Sequence, residues 1–288
     1  MRYRTWVIML TLGLCGIELS PARADDAEMV KEKLFQAKKE YDAEVQKFKK
    51  AITESLDKRE DDARKSGNKK LVDQIKAERE AFDKTGELTQ TIPATIQDVA
   101  TVARTKLDKA YARASKEYLV LKNDDAVEAT EKERLEFRTS AALQFGKRTY
   151  LGKLKPFDIR IPNSKEFPFE KDSSNYKLNG AVIPHSLLTH PDSNGEASVS
   201  YAPAGRIAFR VSVGIPKHTD PQQEPFSPVT FEVLGDNMSL WKSVPVTKLD
   251  DFQTCSLNVD KVKTLTLCVH CKNNNWAHAV WFGPFLAE

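Results

Sequence analysis

The residues best suited to ligand chemistry lie near the end of the 288-residue chain. Three asparagines, 273–275, are followed by Trp276, Ala277 and His278, and a second tryptophan, Trp281, comes shortly after them. An indole offers a flat apolar face for stacking, and an imidazole adds hydrogen-bonding groups beside it. This pattern predicts a recognition site, which the neighbouring elements must hold in place.

Three cysteines near this segment offer a second kind of chemistry. Cys268-Val269-His270-Cys271 has redox or metal-motif spacing, and Cys255 lies upstream. The motif sits in a strand pattern, however, whereas redox Cys-x-x-Cys pairs begin a helix, and alternation would point its two cysteines to opposite faces. We favour a disulfide between Cys255 and Cys271, which would close a loop of about 15 residues and contribute roughly 3 kcal/mol. Reduced buried thiols are the alternative.

The sequence carries no recognisable catalytic motif. It has no P-loop, no Gly-x-Ser-x-Gly elbow, no His-Glu-x-x-His and no Rossmann glycine pattern. The carboxylate pair of a glycosidase cannot be recognised by spacing, but the helical part is too uniform and the β part too small to frame its cleft. We therefore predict that the protein is not an enzyme.

Two apolar runs must position the aromatic segment. In the first, Leu265, Leu267 and Val269 alternate with other residues at the period of a half-buried strand. The second runs from Ala277 to Phe285, so we expect the asparagines to form the tip of a hairpin. Similar short runs precede them from Ala197 onward, and Gly235-Asp236-Asn237 is typical of a hairpin turn. The pattern predicts an antiparallel sandwich of about eight short strands.

The first half of the chain predicts helices. Glu28 to Ser66 contains no Pro or Gly and repeats apolar residues at helical steps, and a shorter helix follows Gly67-Asn68. A third helix of about 26 residues begins after Pro93, and a fourth follows 123–125 and ends near Phe145-Gly146.

A faint internal repeat links the second and fourth helices, because Val72, Glu78, Arg79 and Phe82 reappear at a constant offset as Val127, Glu133, Arg134 and Phe137. Two helical hairpins are implied. They could pack as a four-helix bundle or extend as coiled-coil arms that pair with another copy of the chain.

The first residues predict export. Arg2 and Arg4 precede the apolar run Trp6 to Ile17, and Ala22-Arg23-Ala24 is a cleavage signal that leaves Asp25 as the first mature residue. The run is shorter than the roughly 20 residues that span a bilayer, so we expect no membrane span in the mature chain. The expected location is periplasmic, cell-surface or extracellular. Acylation of Cys15 is the alternative, and the preceding Leu14 fits it poorly.

Composition limits the classes of partner. The chain is 40% hydrophobic and 30% charged, with a net charge of +3. Between Asp25 and Gln144 there are 51 charged residues, close to balanced in sign. Such helices are typical of a spacer or an oligomerisation module, and they offer no basic surface for nucleic acid.

The last third of the chain resembles a known family. The resemblance covers about Val182 to Leu286 and is carried by the order of several short segments: His185, His190-Pro191, the strand ending at Tyr201, Phe209-Arg210-Val211-Ser212-Val213-Gly214, Val229-Thr230-Phe231-Glu232-Val233, Gly235-Asp236, Leu240-Trp241-Lys242-Ser243, Leu265-Thr266-Leu267 and His278-Ala279-Val280-Trp281. These segments are similar to the NPCBM family of carbohydrate-binding modules, found beside family 98 glycosyl hydrolases. The family's Asp-Gly turn is replaced by Gly235-Asp236-Asn237, and its Asp after the last Trp by Phe282-Gly283, which weakens any transfer of ligand contacts.

The resemblance implies a galactose-binding-like β-sandwich, or jelly roll, with a shallow sugar site at its loop end. The candidate ligand-binding residues are Trp276, His278, Trp241, His190, His185 and Asp236. Each has a structural alternative: packing for the tryptophans, a loop-fixing hydrogen bond for the upstream histidines, and a turn for Asp236. Trp281 is expected in the core. Such sandwiches often hold a structural calcium, for which loop oxygens around Asp192 are candidate ligands, although the sequence singles out no metal site.

The sequence therefore predicts an α + β protein with separate domains. They are a signal peptide (1–24), antiparallel helical hairpins or a coiled coil (25–145), a segment leading into the sandwich (146–181) and the NPCBM-like antiparallel β-sandwich (182–288). The predicted function is non-catalytic binding of a glycan or polysaccharide, with the helices as a spacer that forms homo-oligomers. The alternative is a structural or assembly protein whose sandwich binds another protein.

Overall fold

The computed structural model describes residues 21–86, 92–161, 177–178, 181–191, 195–217 and 226–288. Four helices come first: α1 (Pro21–Lys65), α2 (Lys69–Thr85), α3 (Ala94–Val120) and α4 (Asp124–Phe145). Their order agrees with the sequence prediction. No described helix combines the length and the apolar character needed to cross a membrane.

Local signals set the helix boundaries. The side chains of Asn68 and Asn123 cap α2 and α4 by accepting hydrogen bonds from backbone amides three residues further on, at 3.1 and 3.2 Å. Pro93 stands at the N-cap of α3. Because these signals act within one turn of helix, they can be recognised in the sequence.

The long helix α1 is shared by both hairpins. Phe48 and Ile52 of α1 are fully buried with Ile75 of α2, and Leu34 of α1 packs with Leu107 of α3. Ion pairs join the helices of each hairpin, since Arg79 binds Asp57 at 2.7 Å and Arg134 binds Asp108 at 2.8 Å. Coiled-coil pairing with another chain stays a prediction.

Twelve described strands form two five-stranded sheets and one small ribbon, and every described pair is antiparallel. Sheet 1 contains β1 (Arg148–Tyr150), β5 (Leu187–Thr189), β7 (Ala208–Gly214), β10 (Gln253–Asn258) and β12 (Ala279–Ala287). Sheet 2 contains β2 (Phe157–Arg160), β6 (Glu196–Tyr201), β8 (Val229–Gly235), β9 (Met238–Lys242) and β11 (Leu265–Cys271). The ribbon pairs β3 (Lys177–Leu178) with β4 (Ala181–Val182). The predicted fold class is confirmed.

The core lies between the two sheets. Phe209 and Trp281 reach it from sheet 1 and Phe231 from sheet 2, and all three side chains are fully buried. The turn between β8 and β9 has positive φ at both Asp236 and Asn237, 49° and 68°, the geometry of a type I′ hairpin. The predicted turn therefore forms.

The predicted hairpin at the asparagines does not form. β11 pairs with β6 and β8 in sheet 2, whereas β12 pairs with β1, β5 and β7 in sheet 1. Residues 272–278 therefore cross from one sheet to the other. An alternating pattern identifies a strand and its buried face, but it does not identify the neighbouring strand.

No disulfide joins the described cysteines Cys255, Cys268 and Cys271, so the Cys255–Cys271 pairing stays a prediction. Cys255 lies on β10 of sheet 1, and Cys271 ends β11 of sheet 2. Cys271 packs against the core whereas Cys268 points to the outer face, as alternation predicts. Burial raises the pKa of both Cys255 and Cys268 to about 12, so they are protonated at neutral pH.

Helix α4 docks on the outer face of sheet 1. Ala142 and Leu143 pack against Phe285. Arg138 binds Asp260 at 2.8 Å, and the side-chain amide of Asn258 donates to Thr139 at 3.0 Å. The segment expected to lead into the sandwich, 146–181, contributes β1 to sheet 1 and β2 to sheet 2.

Candidate functional site

Three of the predicted site residues meet at one end of the sandwich, where β11 finishes and the chain crosses between the sheets. The ring centroids of Trp276 and His278 are 5.6 Å apart, and those of His278 and His190 are 5.2 Å apart. Both contacts are edge-to-face. Trp276 and His278 are partly exposed, whereas His190 is buried. We call this row of three rings the end site.

Strand pairing brings His190 to the end site. His190 directly follows β5, whose Thr189 pairs with Ala279 at the start of β12. His278 is the residue before Ala279, so the two imidazoles become neighbours although 87 positions separate them in the sequence. Nδ1 of His190 lies 3.0 Å from the carbonyl oxygen of Pro191, an acceptor, so we assign the ring proton to Nδ1.

The crossing loop is fixed by its own polar groups. Ser227 donates its backbone amide to the carbonyl of Asn275 at 2.8 Å, and its hydroxyl bonds the side chain of Asn273. The Asn273 side chain also accepts from the amide of Asn275 at 3.2 Å. Trp276 takes a left-handed backbone conformation with φ of 50°, and its carbonyl accepts from the amide of His278 at 2.8 Å. The loop therefore presents the indole from a hydrogen-bonded turn.

Ser227 was not predicted as a site residue, and no signal in the sequence indicates that β5 brings His190 to the end site. The available local signal was Ser227-Pro228, because a residue before proline favours extended backbone and a hydroxyl there can bond a nearby loop. Nothing in that dipeptide identifies Asn273 as its partner.

The structure does not bring Asp236 or Trp241 to the end site. Asp236 lies at the opposite end of β8, where its carboxylate accepts from the backbone amides of Lys263 and Thr264 at 3.1 and 2.8 Å. Trp241 pairs with Val233 on the edge strand β9 and packs against the core. In this structure Asp236 fixes a turn and Trp241 covers part of the sandwich.

His185 is also separate from the end site. It lies between β4 and β5 with a positive φ of 60°, and its ring packs at a tilt of 39° against Tyr150 with centroids 4.5 Å apart. Asp192, named as a calcium candidate, falls outside the described residues. Among the described residues, no cluster of three or more His, Cys, Asp or Glu is suited to a metal.

The burial of His190 predicts acid sensitivity. Desolvation lowers its pKa below the ordinary 6.5, more than the bond to Pro191 opposes this. The unfolded chain therefore takes up the proton first, so stability is retained above pH 6.5 and falls at lower pH, by at most about 1.4 kcal/mol per pH unit for one proton. Urea unfolding between pH 7.5 and 5 should show this slope, reduced in His190→Gln. An identical slope in that variant would contradict the assignment.

Comparisons with known proteins identify the family to which the β-sandwich belongs. Residues 149–287 match the NPCBM/NEW2 domain. No curated protein sequence matches the chain. The match begins at β1, so it includes both edge strands that precede the resemblance seen in the sequence.

Several solved carbohydrate-binding modules are similar to about half of the chain. A CBM51 module from a Clostridium perfringens GH95 protein, in complex with methyl-galactose, is 19% identical with a TM-score of 0.42, covering 49% of this chain and 100% of that one. The CBM51-2 and INT domains of Clostridium perfringens ZmpB are 21% identical with a TM-score of 0.42. That match covers 49% of this chain and 32% of the ZmpB structure. Tandem CBM51 modules of a Streptococcus pneumoniae family 98 glycoside hydrolase are 18% identical with a TM-score of 0.40, covering 49% and 46%.

The family match and the two antiparallel sheets agree with one another and with the family predicted from the sequence. Residues 149–287 of this chain are an NPCBM domain, which places them in a family of carbohydrate-binding modules.

Proposed function

We propose that the protein is an exported, non-catalytic glycan-binding protein and that the end site is its sugar site. The observation that carries this proposal is the meeting of Trp276, His278 and His190 in one row, with two of the rings partly exposed. The NPCBM family match supports the ligand class.

The three rings offer complementary contacts to a sugar. The indole of Trp276 stacks on the C–H face of a pyranose, and the imidazole of His278 forms a hydrogen bond with a ring hydroxyl. The buried ring of His190 orients His278 from behind through their edge-to-face contact. Such an open site binds one sugar weakly, so the helices would serve as a spacer and, in homo-oligomers, would raise avidity through effective concentration.

Cleavage of the signal peptide is compatible with the folded helical module. Cleavage before Asp25 removes only the first residues of α1, which begins at Pro21. The first buried side chains of that helix, Val30 and Leu34, stay in the mature chain. The domain boundaries proposed for the mature protein are therefore a helical module at 25–145 and the sandwich after it.

A double variant tests the end site. Trp276→Ala with His278→Ala should weaken binding of a glycan selected on an array by about 30-fold. An aromatic contact is worth roughly 0.5–1.5 kcal/mol beyond its area, a hydrogen bond about 1 kcal/mol, and each 1.4 kcal/mol is tenfold. Isothermal titration calorimetry on the full chain measures the change. Trp241→Phe is the matched control and should bind like the wild type.

Two results would count against the proposal. Unchanged affinity in the double variant would remove the end site as the sugar site. An array without any saturable glycan, combined with specific capture of a defined protein by the sandwich, would favour the structural or assembly role.

A further inference from the structure

A second cleft lies between the helical part and the outer face of sheet 1. It has a volume of about 1270 Å³, and its walls include Leu135 and Thr139 of α4 and Tyr150 and Phe285 of sheet 1. Pockets for single small molecules are typically about 300–1,000 Å³, so this cleft has room for several sugar units. None of the three end-site residues lines it.

Because side chains alternate between the two faces of a strand, polar side chains of β7 line the floor of this cleft. Phe209 and Val211 of β7 point into the core. The intervening Arg210 and the next outward residue, Ser212, therefore face the cleft, which both of them line. Arg210 pairs in register with Ser256 on β10 and with Phe285 on β12. A guanidinium is thus set between a hydroxyl and an aromatic ring.

Arg210 is exposed, and its guanidinium makes no ion pair or hydrogen bond with the described residues. Among the described residues, four cations and two anions line the cleft: Lys49, Lys84, Arg148 and Arg210 against Asp83 and Glu136. The described lining therefore carries an excess of positive charge.

Aromatic groups lie beside this charge. The guanidinium carbon of Arg148 lies 4.7 Å from the ring centroid of Phe285, and the partly exposed ring of Tyr150 contacts the ring of His185. An arginine fork matches a carboxylate or sulfate in two parallel hydrogen bonds, and an aromatic face suits a sugar ring. A neutral glycan would use the aromatic surface but leave Arg210 without a counter-charge.

We propose that this cleft is a second binding site and that it takes an acidic oligosaccharide. Arg210 binds a carboxylate or sulfate group, Tyr150 contacts a sugar ring, and Ser256 forms a hydrogen bond with a sugar hydroxyl. The ligand spans the helical part and the sandwich, because Glu136 and Thr139 of α4 form the opposite wall. This site is independent of the end site and does not rest on the function proposed for it.

Calorimetry on the full chain tests the cleft with two acidic probes and one neutral probe. The probes are a heparin-derived hexasaccharide, which is sulfated, hexagalacturonate, which carries only carboxylates, and maltohexaose. We expect saturable binding of at least one acidic probe and no saturable binding of maltohexaose at the cleft. Binding of hexagalacturonate would show that a carboxylate is sufficient, whereas binding of the heparin hexasaccharide alone would show that a sulfate is required, because heparin carries both groups.

Charge variants locate the site. Arg210→Gln should weaken binding of the acidic probe about tenfold, since it removes a hydrogen bond between two charged groups. Glu136→Gln should strengthen it about two- to threefold by removing a like charge from the wall. Lys263→Gln is the matched control, because it removes one exposed positive charge from the sandwich outside the cleft.

Three outcomes would overturn the proposal. They are the absence of saturable binding for both acidic probes, equal weakening in the Arg210 and Lys263 variants, and loss of acidic binding in the Trp276 and His278 double variant. Retained acidic binding in that double variant supports a separate cleft even when the end site proves inactive. Thermal unfolding checks that each exposed substitution leaves the fold intact.

Discussion

Replacing Trp281 by alanine is expected to lower the free energy of unfolding of the sandwich by about 4 kcal/mol. Trp281 is fully buried between the sheets and meets Phe231 edge-to-face, with ring centroids 5.1 Å apart. Truncation to alanine removes this contact and leaves a cavity between the two sheets. Urea unfolding followed by tryptophan fluorescence measures the loss, because every tryptophan after residue 24 lies in the sandwich.

Trp276→Ala is the matched control, five residues away in the same segment. Its indole is partly exposed on the crossing loop, so the expected loss is below about 1 kcal/mol. Trp281→Phe should also be mild, below about 1.5 kcal/mol, because the indole nitrogen of Trp281 has no hydrogen-bond partner among the described residues. Equal losses for Trp276→Ala and Trp281→Ala would contradict the division of the two rings between surface and core.

Much of the fold could be predicted because its signals are local. The helices repeat apolar residues at their own period, and residues such as Asn68 and Asn123 cap them within one turn. The longer strands alternate between core and surface, as Leu265, Leu267 and Val269 do on β11. These patterns need no knowledge of distant partners.

Strand partners could not be predicted in the same way. β1 and β5 have only three residues each, too few to show a period, yet they form edges of sheet 1 beside β12. Alternation also left open whether β11 and β12 pair with each other. The predicted hairpin failed because it assumed an arrangement of strands that the sequence does not specify.

The end site could be predicted only as far as neighbours along the chain allow. Trp276 and His278 lie two positions apart, so one loop carries both. Asp236 was grouped with them through its family resemblance, but β8 separates it from the end site by about 23 Å, taking seven residues at roughly 3.3 Å each. The residue types indicate which contacts with a ligand are possible. The strand register determines which of these residues lie together in the fold.

Replacing Gly195 by alanine is expected to lower the free energy of unfolding by about 3 kcal/mol and to weaken binding at the end site. Gly195 has a φ of 95°, and a Cβ there would overlap the carbonyl oxygen of Cys271. Left-handed backbone costs an alanine about 1–2 kcal/mol, and relief of the overlap adds about 1–3 kcal/mol. Relief must move the end of β11, because the amide of Cys271 donates to the carbonyl of Gly195 at 2.8 Å.

The Gly205→Ala variant measures the cost of the left-handed backbone conformation without the steric overlap. Gly205 has a similar φ of 79°, but no atom lies within 4 Å of its added Cβ, so only the backbone cost of about 1–2 kcal/mol is expected. Urea unfolding and calorimetry on both variants measure stability and glycan affinity. Because the crossing loop leaves β11 directly after Cys271, a shift there displaces Trp276 relative to His190, which β5 holds separately. Equal stability in the two variants, or unchanged affinity in Gly195→Ala, would show that the contact between β6 and β11 does not set the geometry of the end site.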